Sequence, residues 1–420
     1  MQPLRHPCLW LVLSLSAPGA GASAPGPQRP LYTVIVANNR SLEAGRADLR
    51  FADDDGARYF ELLAPQSKAS VLLAVLDDET QARHPGLAAR TRAPTRATLL
   101  QTLTGLFAQM KADRAAGREP ELFFVYTGHG KREPGGEGTI TLWDQTFSRS
   151  DLYAQVLSKA PASYVHLVVD ACDSYFFVNA RGGLPVGPSQ AQAVQAHLDA
   201  RSLDRYPNVG AVLSTTSEQE SHEWSAISSG VFSHQVRSAL AGAADVNGDG
   251  RIEYSEVSAF VAAANQGISD VRGRVDLWVR PPQGNRAAAL TDLRQGSGLG
   301  YVLLPDSLEG RMWIEDSHGV RRMELHKQGG RAVVVAVPPN GEHWLRTAAR
   351  EAKFTLARPG EVVDAGALSW QPWRLAFRGA VQDTFDRKMF STPYGPNFYS
   401  GFVANAAVAP VVFEEPELTR

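Results

Sequence analysis

Five short apolar runs rich in β-branched residues, Tyr32–Ala37, Ala69–Leu76, Leu122–Tyr126, Tyr164–Val169 and Val209–Leu213, recur through the first half of the chain. Segments with the apolar spacing of helices lie between and after them: Ala57–Leu63 behind the acidic Asp53-Asp54-Asp55, then Ala97–Met110, Leu152–Leu157, Phe232–Leu240 and Tyr254–Ala264. A strand that is apolar at nearly every position is buried on both faces, and helical crossovers are what keep such strands parallel. The alternation predicts an α/β domain over residues 31–285, a mostly parallel sheet flanked by helices. Gly138–Trp143 reads as a short alternating strand after a glycine-rich turn. The Gly-, Pro-, Ala- and Gln-rich stretch between Phe177 and Val209 reads as a long loop.

The pattern changes after about residue 285. Pro281-Pro282-Gln283-Gly284 and Gly296-Ser297-Gly298 read as linkers. Short alternating segments follow at Arg311–Glu315, Val320–Leu325, Ala332–Val337, Trp344–Arg346 and Lys353–Leu356, with turn residues such as Pro338-Pro339-Asn340-Gly341 between them. They predict a small antiparallel, β-rich accessory domain over residues 298–372. Residues 373–420 form a C-terminal extension to which the sequence assigns no role.

At the other end, Arg5, the apolar stretch Cys8–Leu15 and the small residues up to Ala24 have the order of a secretory signal peptide. With Ala20-Gly21-Ala22 as the cleavage site, residues 1–22 are expected to leave on export to the periplasm, the envelope or the medium. The stretch is shorter than the about 20 apolar residues that span a bilayer, and no later segment reads as a transmembrane helix. Cys8 leaves with the signal, so Cys172 remains with no internal disulfide partner. Such a cysteine is a small buried hydrophobe, an intermolecular link or a reactive thiol. A balance of 42 basic against 44 acidic side chains, net −2, gives no footprint for nucleic acid. Nothing in the sequence speaks to the oligomeric state.

Two of the strands end in side chains able to do chemistry. Leu122–Tyr126 runs into Thr127-Gly128-His129-Gly130, and Tyr164–Val169 runs into Asp170-Ala171-Cys172. Functional groups of open α/β sheets collect at the carboxyl ends of the strands, so His129 and Cys172 are a candidate base and nucleophile. A thiol with an ordinary pKa of about 8.5 is shifted toward working pH by an imidazolium or a helix N-terminus. The glycines beside His129 let a substrate backbone come close. The N–H groups of Gly130 and Cys172 are candidate oxyanion donors. The competing reading is a histidine in a glycine turn and a structural cysteine.

On these residues the chain resembles the caspase-like cysteine peptidases, the group of caspases, metacaspases and their bacterial relatives. The resemblance rests on Gly128-His129-Gly130, Asp170-Ala171-Cys172, the acidic Asp53-Asp54-Asp55 turn, and the strand Val209–Leu213 followed by Ser214-Thr215-Thr216, and spans roughly residues 31 to 270. It implies an endopeptidase acting on peptide or protein substrates, in which Cys172 attacks the scissile carbonyl, His129 assists, and the chemistry needs no cofactor. In metacaspase-like relatives, an acid two residues before the cysteine and an acid in the first-helix turn hold a basic P1 side chain. Those positions match Asp170 and Asp55, and a carboxylate pair favours Arg or Lys through charge-assisted hydrogen bonds. The competing reading is that Asp53 and Asp55 only cap the helix. One departure stands out: Asp173-Ser174-Tyr175 follows the cysteine where relatives commonly have His-Ser-Gly or Arg-Gly. Tyr175 and the two phenylalanines after it are expected to crowd the site. A catalytically inactive caspase-like binding or scaffold protein of the cell envelope is therefore the alternative.

A second motif, Asp245-Val-Asn247-Gly-Asp249-Gly250-Arg251-Ile252-Glu253-Tyr-Ser-Glu256, follows the twelve-residue EF-hand loop position by position. Side-chain oxygens of Asp245, Asn247 and Asp249, the Arg251 carbonyl, Glu253 through water and a bidentate Glu256 are the expected ligands of a structural or regulatory Ca²⁺. Ile252 is expected to pack beneath the loop. The competing reading is a solvated acidic turn that holds no metal. Gln219–Trp224 reads as a solvated loop after the fifth strand, with pocket lining as the alternative.

Overall fold

The computed structural model describes residues 29–172, 174–179, 202–214, 223–268, 275, 277–294, 298–339, 341–373 and 388–408. Residues 1–28, on which the expected signal peptide falls, most of the stretch between Phe177 and Val209, and residues 215–222 lie outside the described residues.

The apolar runs become β1 (Leu31–Asn38), β2 (Ala69–Leu73) and β4 (Glu121–Gly128), with the two-residue β3 (Thr91–Arg92) between. A small antiparallel sheet of β5 (Gly130–Arg132), β6 (Gly138–Thr141) and β7 (Thr146–Ser148) follows β4 directly. Next come β8 (Tyr164–Asp170), β9 (Val209–Ser214), a hairpin of β10 (Glu223–Trp224) and β11 (Ser229–Gly230), then β12 (Arg251–Glu253) and β13 (Leu277–Arg280). The central sheet has the order β13-β9-β8-β4-β1-β2-β3. Every pairing in it is parallel except that of β13 with β9. Strand side chains alternate between faces, and the two faces fill separate cores. Ile35, Phe123, Val125 and Val168 pack under α1 (Ala52–Leu63) and the helices Val231–Ser238 and Tyr254–Asn265. Val34, Phe124, Tyr126 and Val169 pack under Leu99, Leu103 and Leu106 of the helix Arg96–Ala115.

The β-rich region is present but is not self-contained. β14 (Ala289–Asp292) pairs with β12, so the α/β part runs past residue 285. β15 (Gly300–Leu304), β16 (Gly310–Asp316), β17 (Arg321–Lys327), β18 (Val333–Val337), β19 (Gly341–Arg346), β20 (Arg350–Leu356), β21 (Val362–Asp364) and β22 (Trp370–Pro372) complete it. They form an antiparallel sheet β17-β16-β19-β20-β22 and a sheet β18-β15-β21 in which β15 and β21 run parallel. Met312, Ile314 and Val335 share one continuous core with Val236 and Phe260. The extension also packs down. Met389, Phe390 and Tyr394 are buried, and the Tyr394 hydroxyl donates to the Ala244 carbonyl at 3.1 Å. Among the described residues no helix is long and apolar enough to cross a membrane.

Candidate active site

Thr127 of β4 lies opposite Asp170 of β8, so Gly128-His129-Gly130 and Ala171-Cys172 leave neighbouring parallel strands at one edge of the sheet. His129 and Cys172 line a single cavity of about 340 Å³ that also touches Arg46, Asp55, Asp170 and Glu223. The glycines follow from close packing. A Cβ on Gly128 would stand 2.6 Å from Tyr126 Oη and 2.8 Å from the Asn38 carbonyl. One on Gly130 would stand 2.4 Å from the Cys172 carbonyl and 2.9 Å from Ala171 Cβ. Tyr126 Oη donates to the His129 carbonyl at 2.7 Å and accepts the Thr141 N–H at 3.1 Å, which fixes the turn.

The His129 ring is buried, and its Nε2 has no hydrogen-bond partner among the described residues. The Ala47 backbone engages the other side of the ring. Burial, reinforced by the positive charge of Arg46, holds the imidazole down to about 4, against the opposing pull of Asp48 and Glu43. At neutral pH the ring is therefore uncharged, with a lone pair on Nε2. Cys172 is half-buried on the same cavity.

The three acids of the first turn of α1 are all buried, and each has a different task. Asn39, at the end of β1, supplies the cap: its Oδ1 accepts the Ala52 N–H at 2.8 Å, and its amide donates to Asp53 at 2.7 Å. Asp53 also accepts the Asp77 N–H at 2.9 Å, which ties α1 to the chain after β2. Asp54 accepts Arg83 on both oxygens at 3.0 Å. Asp55 faces the cavity, so it is not a cap. It accepts Ser229 Oγ at 2.5 Å, the Gly230 N–H at 2.7 Å and Arg237 Nη2 at 3.0 Å. Asp170 accepts the hydroxyl of Ser233 at 2.6 Å and its N–H at 3.2 Å. The two carboxylates converge over Gly230, where a Cβ would lie 3.0 Å from Asp170 Oδ2 and 3.1 Å from Asp55 Oδ2. Burial raises both acids. Asp170, further raised by the charge of Asp55, is pushed up to about 7, while Arg237 opposes the rise of Asp55.

Sequence reasoning missed Ser229, Gly230, Ser233 and Arg237. The signal was present in the four-residue spacing of Ser233 and Arg237 on an otherwise buried helix, which puts both on one face. Glu223 and Trp224 correct the solvated-loop expectation. Glu223 Oε1 accepts the N–H groups of Arg50 and Phe51 at 2.8 and 3.0 Å, joining the hairpin to the start of α1, and Trp224 is fully buried. The crowding expected from the phenylalanines is corrected too. Phe177 turns into the core against Phe147, and Phe176 lies under Arg132 at 4.7 Å. Asp173 and the side chain of Tyr175 lie outside the described residues.

The EF-hand-like loop begins where the chain leaves the Val231–Ser238 helix and the π-turn after it, so it lies at the far end of that helix from the cavity. Asp245 accepts the N–H groups of Gly248 and Gly250 at 2.7 and 2.9 Å, Asn247 that of Asp249, and Asp249 that of Arg251. Glu256 accepts from Val246 and Glu253 at 3.0 and 2.9 Å. Gly248 and Gly250 both have φ of +75°, and Ile252 is fully buried beneath the loop. These side chains share one turn. Among the described residues, however, no three His, Cys, Asp or Glu side chains are gathered as metal ligands.

No known protein family matches the chain, and no curated protein matches it. Solved structures with some likeness include caspase-1 from Spodoptera frugiperda, 11% identical over 61% of this chain and 88% of that one at a TM-score of 0.37. A structural-genomics target from Geobacter sulfurreducens is 14% identical over 64% and 99% at a TM-score of 0.32. The Arg specific cysteine proteinase gingipain R is 12% identical over 79% and 67% at a TM-score of 0.32. At these values the likenesses carry no part of the functional reading, which rests on the residues themselves.

Proposed function

We propose that this chain is a caspase-like cysteine endopeptidase that cleaves after Arg or Lys. The observation that carries the reading is the meeting of Cys172, a neutral His129 with an unpartnered Nε2, and two buried carboxylates around one cavity. His129 Nε2 takes the thiol proton, and the Cys172 sulfur attacks the scissile carbonyl. The N–H groups of Gly130 and Cys172 donate to the developing oxyanion. His129 then returns its proton to the leaving amine, and water hydrolyses the thioester. Asp170, whose hydrogen bonds come from the neutral donors of Ser233, is the main acceptor for a P1 cation beside Asp55. The inactive binding-protein reading draws on the Asp173-Ser174-Tyr175 departure after the cysteine and on the neutralisation of Asp55 by Arg237 within the chain itself.

The deciding experiment assays the chain from Ser23 on peptides with Arg, Lys or Asp at P1, beside Cys172→Ala. Release from Arg or Lys peptides, reduced at least about a thousand-fold in the variant, is expected. A folded protein silent on every peptide, whose Cys172 also resists an electrophile carrying an Arg-like group, turns the reading to the binding protein. The signal-peptide-like order of residues 1–22 supports export of the enzyme, and the N-terminal residue of the secreted chain tests that.

Ca²⁺ belongs to the same proposal. The donors fit in type and order, and the left-handed glycines and buried Ile252 suit a loop wrapped around an ion. Asp245, Asn247, Asp249, Arg251 through its carbonyl, Glu253 and Glu256 would hold it. The ion would supply positive charge among these acids and no step of the chemistry. Calorimetry of the full chain is expected to show Ca²⁺ binding that Glu256→Gln abolishes. No heat at millimolar Ca²⁺ removes the metal from the reading.

A further inference from the structure

The hairpin of β10 and β11 borders the cavity of His129 and Cys172, and it carries an acid that the proposed chemistry does not use. Glu223 and Gly230 both line that cavity, and they stand directly opposite each other in the antiparallel pairing of the two strands. Side chains of directly opposed residues leave the same face of a hairpin, with Cβ positions about 4.5–5.5 Å apart. Gly230 identifies the face: a Cβ there would lie 3.0 Å from Asp170 Oδ2 and 3.1 Å from Asp55 Oδ2. Glu223 therefore leaves the hairpin on the side of the acid pair.

Glu223 is also held in place. Trp224 beside it is fully buried, with His234 at 5.8 Å and Arg321 at 5.6 Å from its ring. Glu223 Oε1 accepts the N–H groups of Arg50 and Phe51 at 2.8 and 3.0 Å. Those bonds fix the carboxylate at the start of α1, where Leu49, Phe51 and Ala52 line the same cavity. They occupy one oxygen only. Oε2 has no hydrogen-bond or ion-pair partner among the described residues, and it is not one of the polar atoms sealed from water. An anchored, half-buried carboxylate thus keeps one oxygen for a ligand.

We propose that Glu223 is a specificity residue for a second basic side chain of the substrate, at P3, two residues before the P1 Arg or Lys. The inference rests on the peptidase reading above. The β10-β11 sheet has no third strand among the described residues, and a peptide that lies along such an edge is extended. In an extended chain, residues i and i+2 share a face about 6.5–7 Å apart, and the residue between them points away. With the P1 side chain at Asp170, the next side chain on the same face belongs to P3 or to P2′. Charge separates the two. The leaving amine passes His129, and Arg46 stands there: its charge acts on the His129 ring, and its Nη1 lies 3.5 Å from the Gly130 carbonyl. A basic P2′ side chain would meet that cation, whereas a basic P3 side chain donates to Glu223 Oε2 in a charge-assisted hydrogen bond. The substrate class is a basic-x-basic segment, cut after its second basic residue.

The test uses the chain from Ser23 and peptides with Arg at P1 and Arg, Gln or Glu at P3, with matched sets varied at P2 and P2′. From Arg to Gln to Glu at P3, kcat/KM is expected to fall about five-fold per step, the worth of a partly exposed ion pair. Neither P2 nor P2′ is expected to favour a basic residue. Glu223→Gln, which keeps an acceptor for the Arg50 and Phe51 N–H groups, is expected to bring the three P3 peptides within about two-fold of one another. If the variant fails to fold, the P3 order in the unaltered chain decides. Equal rates across P3, an order that Glu223→Gln retains, or a basic preference at P2 or P2′ instead overturns the proposal and leaves cleavage after Arg or Lys standing. Binding of the same peptides to Cys172→Ala, read by fluorescence anisotropy, reports the P3 order without turnover. That order in binding, with no cleavage by the unaltered chain, keeps the role of Glu223 and removes the peptidase. No P3 order in binding or in cleavage overturns the role of Glu223.

Discussion

A buried carboxylate that titrates near neutrality makes substrate binding, and not only catalysis, depend on pH. Asp170 is pushed up to about 7, whereas His129 is held down to about 4. Between these values the base is ready but the cation site is partly protonated. KM for an Arg-P1 peptide is therefore expected to rise as pH falls below about 7, while kcat changes little. Asp170→Asn should flatten that profile and raise KM by about ten- to a hundred-fold, the worth of a charge-assisted hydrogen bond. A KM that is constant from pH 5.5 to 8 contradicts this role. Stability gives a second readout. The folded-state value lies above the unfolded one, so the folded chain holds this proton more tightly. The corresponding stabilisation is full below about pH 4 and is lost as pH rises through about 7. Asp170→Asn should then melt above the unaltered chain at pH 8 and close to it at pH 4. Asp170 and Asp55 were paired on the resemblance to metacaspase-like relatives, which the residues around them carry. The cation already on Asp55 was not legible, because Arg237 lies 182 residues further along the chain.

Among the elements, the Val231–Ser238 helix links the candidate site to the β-rich region. Gly230, Ser233 and Arg237 meet Asp55 and Asp170, while His234 and Ser238, on the adjoining face, meet Glu324 of β17. Glu324 is completely buried between His234 Nε2 at 3.2 Å, Arg321 Nη1 at 3.0 Å and Arg311 Nε at 2.6 Å, and these partners keep its carboxyl well below the usual range. Arg321 also lies over Trp224 of the hairpin at 5.6 Å. Removing one member of a buried ionic group strands the others, at about 3–5 kcal/mol. Glu324→Ala is expected to lower the melting temperature by about 10 °C and to raise KM for basic peptides. Glu324→Gln, which keeps the shape and one acceptor, should do less of both. Equal melting of Glu324→Ala and the unaltered chain would show that these contacts contribute little. The helix itself was legible from its apolar spacing. Its polar faces were not assigned, since a serine or histidine at helical spacing does not name its partner.

The molecule as a whole has one core on the side of α1, and it runs without a break from the central sheet into the β-rich region. Val236 and Phe260 share it with Met312, Ile314 and Val335, and Tyr394 of the extension bonds the backbone of Ala244. A chain ending at residue 294 would expose that surface and strand His234. It is expected to fall readily to limited proteolysis and to show no sharp thermal transition. A stable, active fragment would restore the accessory-domain view that the linker-like glycines suggested. The sequence by itself determined the five apolar strands, the helices between and after them, the reactive residues at two strand ends, and the EF-hand-like spacing. These are periodicities and motifs written over a few neighbouring residues, where backbone geometry sets which side chains share a face. The tertiary structure alone decided that β13 closes the sheet edge, that Asn39 caps α1 and that Arg237 answers Asp55. Each of these depends on which distant groups are buried together, and the energy of a buried charge is set by its neighbours in space rather than by its neighbours in sequence.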